Sequence, residues 1–348
     1  MNAPQSPSSG SDFAVLLSVL EQAAGQHHAL ATLQRLIHAN DAAPPLPGSG
    51  STLDRWRLFA AIAGHDLCCA KLYESHADAL AILHELGHTG LHAQPHIWAV
   101  WCAEPPDKRI SISSSGLPGA AAVLSGTKAW CSGATLASHA LISGWDEEGK
   151  QRLVAVDMKQ PGIKVSTDGW HAVGMAETGS VNVVFNDAHG TLVGPAGSYV
   201  DRPGFHHGGA GIAACWYGAA QAIVSHAHCH ARKKPDDPHA MAHLGAMDVA
   251  LAQAASLLRD AATEIDANPH DPCALAVGRA RLAVESAAET ILYRTPRALG
   301  AGPMCKNLSL ARALADLPVF IRQSHAERDQ AAHGRKIMKL QEATLWAL

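Results

Sequence analysis

Apolar residues recur at helical spacing at both ends of the chain, while the middle carries short runs typical of strands. The helical pattern covers residues 13–38 and 53–87, separated by a Pro/Gly/Ser-rich connection at 42–51. From about residue 95 to 200 the apolar runs are short, rich in β-branched residues and broken by Gly, Pro, Asp and Asn. This middle region is therefore predicted to form an antiparallel sheet or barrel.

After Pro203 the helical pattern returns. It predicts four long helices, at 208–231, 242–265, 271–293 and 309–332, which suffice for a four-helix bundle. Asp271-Pro272 is expected to start the third, because proline is favoured in the first turn. The stretch from Pro203 to Ala231 holds no Asp, Glu, Lys or Arg, and its many Gly and Ala residues predict a closely packed bundle helix rather than a membrane span.

The order of elements predicts an α+β chain. Its expected parts are a disordered leader (1–11), an N-terminal helical domain (12–94), a middle β domain (95–202) and a C-terminal helical bundle (203–348). The polar start MNAPQSPSSGSD lacks the basic and apolar regions of a signal peptide, so a cytoplasmic location is expected. A β domain between helical ones predicts a ligand at the junction, where cofactors commonly bind.

Composition excludes some classes of function. The 348 residues include 27 Lys+Arg and 31 Asp+Glu, a net charge of −4, so nucleic-acid binding is disfavoured. Eight cysteines without a CxxC pair predict buried free thiols in a reducing compartment. They are Cys68, Cys69, Cys102, Cys131, Cys215, Cys229, Cys273 and Cys305. Histidine is unusually frequent, with 22 residues.

Three stretches resemble motifs of the acyl-CoA dehydrogenase family of flavoproteins. AVWCAEP (99–105) is similar to a family strand that ends in Glu-Pro, and GTKAWCSGA (126–134) is similar to the strand that packs on the flavin. RALGAG (297–302), followed by the SLARALADLPVFIRQSHAERD segment (309–329), resembles the family's glycine turn and last bundle helix. The resemblance implies the family's fold of helical domain, β domain and four-helix bundle.

The resemblance also implies a bound FAD. It places Trp130 against the isoalloxazine ring, the hydroxyl of Ser132 at flavin N5, and Arg232 toward the pyrophosphate. Gly300 and Gly302 match a turn that approaches the cofactor of a neighbouring subunit, and Trp101 and Ala103 lie in the first motif. From the residues alone, Trp130 could be a core tryptophan, the glycines a helix C-cap, and Arg232, with Lys233 and Lys234, surface charge.

The implied activity is α,β-dehydrogenation of an acyl thioester, acyl-CoA or another, as in fatty acid metabolism. An electron acceptor of unknown identity would reoxidise the flavin. The resemblance further implies a homodimer or homotetramer without a membrane span, and the small-residue helix at 208–225 is expected to suit packing between subunits.

The carboxylate base of the family is absent from both of its usual positions, which hold Ser324 and Gly208. Three alternatives follow. A displaced base could act, with His325, Glu327 and the neighbouring His206 and His207 as candidates, since histidine works as a base near neutral pH. The flavin could instead react with oxygen, as in the monooxygenases of this fold. The protein could also be a catalytically silent binder.

Two further clusters contain residues that could bind a metal or a substrate. His226 and His230 have the i, i+4 spacing of a zinc helix, but no third ligand is apparent, so no metal is predicted. Glu74, His76 and Asp78 could line a substrate pocket or only cap and solvate a helix. No GxSxG elbow or dinucleotide fingerprint supports other chemistry. The abundance of histidine thus carries chemical meaning only at 206–207 and 325.

Overall fold

A computed structural model describes residues 9–23, 28–39, 44–92, 96–341 and 346. Four helices begin the chain: α1 Ser9–Gln22, α2 Ala29–Ala39, α3 Thr52–His65 and α4 Leu67–Glu85. The pattern at 13–38 thus forms two helices, not one. Residues 9–11, predicted as leader, lie in α1, whereas residues 1–8 of that leader are outside the described residues. α4 begins where the Asp66 side chain accepts a hydrogen bond from the Cys69 N–H, a regular N-cap.

The middle of the chain forms a sheet. Its strands are β1 Trp98–Trp101, β2 Ile110–Ser114, β3 Ala121–Cys131, β4 His139–Trp145, β5 Gln151–Asp157, β6 Ile163–Val165 and β7 Val181–Leu192. Five of them close into a ring in the order β4, β2, β3, β7, β5 and back to β4. β1 pairs with β4 in parallel, and β6 pairs with β7. The predicted sheet or barrel is therefore present.

The C-terminal part is helical. It contains α5 Ser198–Asp201, α6 Pro203–Arg232, α7 Pro238–Ala267, α8 Ala274–Leu299, α9 Ala301–Lys306, α10 Leu308–Phe320 and α11 Glu327–Ile337. α8 begins three residues after the expected start at Asp271, whose side chain accepts a hydrogen bond from the Cys273 N–H instead. The fourth predicted helix is broken, because Ser324 is extended and Ala326 has a φ of 45°.

Three glycines of α6 face the N-terminal helices. A Cβ at Gly218 would collide with the Ala60 carbonyl oxygen, and one at Gly211 would lie 3.2 Å from the Phe59 ring. One at Gly208 would lie 2.6 Å from the Asp78 carboxylate. These small residues let α3 and α4 approach α6 within one chain, and the expected packing between subunits stays a prediction.

All eight cysteines are free, but Cys229 and Cys305 are exposed rather than buried.

Among the described residues one helix, α7, is long and apolar enough to cross a membrane by length and composition. Only 22% of its apolar window is buried, so much of that surface is open in the single chain.

We expect Gly218→Ala to destabilise the fold, because the added methyl must displace the α3 backbone. Overpacking of this kind costs about 1–3 kcal/mol, which lowers the melting temperature by several degrees. Thermal unfolding followed by circular dichroism measures the change. Gly334→Ala in α11 is the matched control, since a Cβ there meets no described atom within 4 Å. An unchanged melting temperature in Gly218→Ala would contradict this packing.

Candidate functional site

The end of β3 presents an indole ring to solvent. Trp130 is 54% exposed and has a φ of 56°, a left-handed conformation that turns the strand. Trp101 lies beneath it in the sheet core, buried, and donates its indole N–H to the Ser132 carbonyl at 3.0 Å. Trp101 therefore supports the end of β3. Because its side chain is buried, it is poorly placed for the predicted contact with a cofactor.

Three hydroxyls continue from this indole into the protein. Ser132 Oγ lies 2.8 Å from Ser180 Oγ, which lies 2.9 Å from Thr178 Oγ1. Thr178 in turn donates to the Met175 carbonyl, and its own carbonyl accepts from the Gly133 N–H at 2.7 Å. Ser180 and Thr178 were missed from the sequence, because they lie about 48 residues from Ser132 and carry no motif.

The loop before β7 is fastened to α10. The Met175 N–H donates to Asp316 at 2.5 Å, and Arg312 pairs with Glu177 at 2.7 Å. Gly174 lies so close to the Ala315 carbonyl that no Cβ would fit. Burial raises the pKa of Asp316 to about 6. This loop thus fixes the hydroxyl row against the helical bundle.

The first two sequence motifs meet inside the sheet. Lys128 is fully buried and its Nζ contacts Glu104 at 2.7 Å and the Ser143 carbonyl at 2.8 Å. Trp145 donates its indole N–H to the second oxygen of Glu104 at 3.0 Å, and the Ser143 hydroxyl donates to the first. A buried charge needs such partners. The Glu of AEP and the Lys of KAW are therefore structural, and they hold β1, β3 and β4 together.

The other predicted cofactor residues do not join this cluster. Ala103 follows β1 and is half-buried. Arg232 is exposed in the last turn of α6. Gly300, at a φ of 68°, ends α8, and Gly302 lies in α9; a Cβ at either would meet no described atom within 4 Å. Within the described chain none of the four touches Trp130 or Ser132 through a hydrogen bond or ring contact.

The position of the missing carboxylate holds a serine that binds a carboxylate. Ser324 is buried and donates its hydroxyl to Glu285 of α8 at 2.6 Å. The other oxygen of Glu285 accepts from Arg322 at 2.7 Å. Both oxygens of Glu285 therefore have partners, which makes this residue a poor free base. Sequence reasoning missed it, because it is 39 positions away from Ser324.

The candidate bases near Ser324 are separated in space. The side chain of His325 is 65% exposed, with Nδ1 3.6 Å from the Asp329 carboxylate. Glu327 is exposed as the first residue of α11. His207 is buried and its Nε2 lies 2.8 Å from the Asp271 carbonyl, so its ring fastens α6 to the start of α8. Burial lowers the pKa of His207 and of His206. His207 is therefore part of the packing between α6 and α8, and its role as a base stays a prediction.

A second charged cluster lies under α6. Arg55, almost fully buried, pairs with Asp78 at 3.0 Å, and Lys71 pairs with Glu74 at 3.2 Å. Asp78 stands where a side chain at Gly208 would be. Burial raises the pKa of Glu74 to about 7, while Lys71 opposes the shift. α4 thus places the Asp78 carboxylate, with Glu74 one helical turn before it, beside the second position at which the resemblance expects a base.

The histidine clusters have structural partners. His76 Nδ1 accepts from the Trp98 N–H at 3.2 Å, which joins α4 to β1. His226 contacts the Asn307 amide at 3.4 Å. Among the described residues no group of three or more His, Cys, Asp or Glu side chains is placed to hold a metal ion.

Comparisons with known proteins agree with the resemblance that the sequence motifs suggested. The family model described as "Acyl-CoA dehydrogenase, C-terminal domain" matches residues 196–321, from just before α5 to the end of α10. The C-terminal region is therefore similar to this domain of the acyl-CoA dehydrogenases. The resemblance drawn from the sequence motifs is confirmed. No curated protein matches the sequence.

Solved structures extend the acyl-CoA dehydrogenase-like fold over nearly the whole chain. Dibenzothiophene monooxygenase TdsC from Paenibacillus sp. A11-2 superposes with a TM-score of 0.82 at 15% identity, over 94% of this chain and 97% of that one. A nitrososynthase from Micromonospora carbonacea var. africana gives 0.78 at 17%, over 96% and 98%. Methanesulfinate monooxygenase MsuC from Pseudomonas fluorescens gives 0.77 at 19%, over 97% of each. TdsC has also been crystallised with FMN and indole.

We expect the stability to fall as the pH rises through about 7 because of Glu74. Its pKa is raised in the folded state, so folding binds a proton that the unfolded chain releases at lower pH. Glu74→Gln should remove this loss, so its melting temperature, relative to the wild type, rises by a few degrees between pH 5 and pH 8. Thermal unfolding across this range measures it, with exposed Glu148→Gln as control. A constant difference between Glu74→Gln and wild type would contradict the expectation.

Proposed function

We propose that the protein is a flavin-dependent monooxygenase. One observation carries the proposal: the exposed Trp130 and the hydroxyl of Ser132 form a flavin platform, whereas the two base positions hold Ser324 and Gly208. Removal of an α-proton needs a base, but transfer of oxygen to a substrate does not. The flavin-dependent chemistry of TdsC, which was solved with FMN, agrees with this reading.

The residues at the end of β3 fit a flavin ring. The indole of Trp130 is flat and exposed, so an aromatic ring can stack on it. Aromatic pairs prefer offset or edge-to-face arrangements, and a side chain at the end of a strand can present these. Ser132 and Ser180 carry hydroxyls, which can each donate or accept. Trp130 and Ser132 would therefore hold the isoalloxazine. Arg232, expected from the resemblance to face the phosphate part of FAD, lies exposed at the end of α6 outside this cluster, so its role toward FAD stays a prediction.

The protein's own residues then have separable tasks. A reduced flavin, when bound, would supply two electrons to dioxygen, so that one oxygen atom enters the substrate and the other leaves as water with two protons. Trp130 shields the ring from water, and the row from Ser132 to Thr178 orients polar atoms at its edge. His325 is proposed to hold or deliver a proton at the substrate, because its exposed ring lies beside Asp329.

Trp130→Ala should weaken flavin binding at least tenfold, because it removes the stacking surface without touching the sheet core. Titration of FMN and, separately, FAD followed by flavin fluorescence measures the dissociation constants. Trp346→Ala, at a second exposed tryptophan, is the control. Equal affinity in wild type and Trp130→Ala would refute the platform, and binding of neither flavin would favour the silent binder. The stronger ligand of the two decides between FMN and the predicted FAD.

A second candidate is the predicted acyl-CoA dehydrogenase activity, which a specific observation favours. Burial gives Glu74 a pKa of about 7, suitable for a general base, and Asp78 beside it stands over Gly208. In this alternative Glu74 and Asp78 would take the α-proton of an acyl thioester, and a bound flavin would supply the acceptor for the β-hydrogen as hydride. Both candidates use the same flavin surface, formed by Trp130 and Ser132. They differ in whether electrons pass from the substrate to the flavin or from the flavin to dioxygen.

One pair of experiments separates the candidates. Under the monooxygenase proposal, the reduced holoprotein with ¹⁸O₂ and indole or dibenzothiophene as probes yields a product carrying ¹⁸O. Under the second candidate, an acyl-CoA panel bleaches the oxidised flavin without oxygen, and Glu74→Gln slows bleaching at least 100-fold. Bleaching with no ¹⁸O incorporation would overturn the monooxygenase proposal.

We also propose a cytoplasmic homodimer or homotetramer. Its support is the half-open apolar surface of α7, where a groove of about 520 Å³ lies against α6 and is lined in part by Val224, Met241 and Leu244. Light scattering at micromolar concentration should therefore give a mass of two or four chains. Met241→Glu should shift the protein toward monomer, whereas Leu117→Glu, at an exposed residue near the sheet, should not. A monomeric wild type would contradict the proposal.

A further inference from the structure

The segment between α10 and α11 has an unusual backbone. A continuous helix was expected across it, but residues 324–326 leave the helical conformation. Ala326 has φ 45° and ψ −117°, a region that side-chain-bearing residues rarely adopt. Such a conformation persists only when the surrounding contacts hold it, and it tends to occur at functional positions.

The contacts that hold this segment come from two helices. Ser324 Oγ donates to Glu285 of α8 at 2.6 Å and accepts from the Ala326 N–H at 3.2 Å. On the other side, Asp329 of α11 accepts from the His325 N–H at 3.0 Å. The backbone of His325 is thus fixed from both flanks.

Glu285 is the buried end of this arrangement. It is 4% exposed, and its second oxygen accepts from Arg322 at 2.7 Å. A buried carboxylate requires partners that offset its lost hydration. Arg322 supplies the opposite charge, and the Ser324 hydroxyl supplies a directional hydrogen bond. Of the groups that hold the segment, Glu285 alone reaches it from α8 in the described chain.

We propose that Glu285 is a positioning residue: through Ser324 it holds the strained segment 324–326 and thereby aims the exposed imidazole of His325. The inference rests on the proposed function, in which His325 handles a proton at the substrate. Glu285 itself does not react, because both of its oxygens are occupied.

α8 offers a matched control one turn further on. Glu289 also accepts from Arg322, at 3.1 Å, but is exposed and makes no described bond to Ser324. Glu285→Gln keeps an oxygen acceptor for Ser324 and loses only the charge. Comparing variants at Glu285 and Glu289 therefore separates the effect of the hydrogen bond to Ser324 from the effect of the ion pair with Arg322.

The experiment follows the imidazole directly. The protein is labelled with ¹³C-histidine, and the His325 ring signal is assigned by its loss in His325→Gln. We expect Glu285→Ala and Ser324→Ala to shift or broaden this signal, while Glu289→Ala and Glu285→Gln leave it in place. In the ¹⁸O assay, Glu285→Ala should lower the turnover rate at least tenfold with little change in KM, and Glu285→Gln should restore most of it.

The outcomes are distinct. An unchanged His325 signal in folded Glu285→Ala overturns the proposal, whatever the activity. If that variant does not fold, Ser324→Ala decides in the same way. A moved signal with unchanged turnover overturns the role of Glu285 in catalysis, while the monooxygenase proposal stands. A wild type without flavin-dependent turnover overturns the proposed function alone, since the ring signal still reports whether Glu285 holds the segment.

Discussion

The close approach of α3 and α4 to α6 determines the arrangement of the rest of the molecule. At Gly218 the α6 backbone lies directly against the Ala60 carbonyl, which only a residue without a Cβ permits. The N-terminal helices and the bundle consequently share one hydrophobic core. α4 then carries Ser75 and His76 to the first strand, where they accept from the Val100 and Trp98 N–H groups. A backbone contact between helices thus also sets where the sheet lies.

The sheet adds a second, electrostatic fixture. Fully buried Lys128 needs Glu104 and Ser143 around its ammonium group, so β1, β3 and β4 can close only in the register that brings them together. The end of β3 is positioned as a result, with Trp130 turned outward by its left-handed backbone. The motif residues that first suggested a flavoprotein therefore divide into two kinds: buried ones that build the platform and exposed ones that can touch a ligand.

Much of this architecture could be predicted from the sequence. Helical spacing located α6 and α8 within a few residues, and short β-branched runs located the sheet, because both patterns record burial along a single element. The break at Ala326 could not be predicted that way, since no glycine or proline stands there and the helical pattern continues through it. His207 and His206 look alike in sequence, yet only the three-dimensional packing buries the first against the Asp271 carbonyl.

The same limit explains why the site was only partly found. Trp130 and Ser132 belong to one local motif, whereas Glu285, Ser180 and Thr178 reach their places through contacts between distant segments. The consequence for the chemistry is specific. Carboxylates do lie beside both base positions, but Glu285 is neutralised by Arg322 and occupied by Ser324, and Asp78 is paired with Arg55. Glu74, whose pKa burial raises to about 7, keeps an acid–base capacity there. Two of the three carboxylates are therefore held in ion pairs, which is the arrangement that the proposed oxygen transfer requires, while Glu74 is the group on which the alternative of dehydrogenation depends.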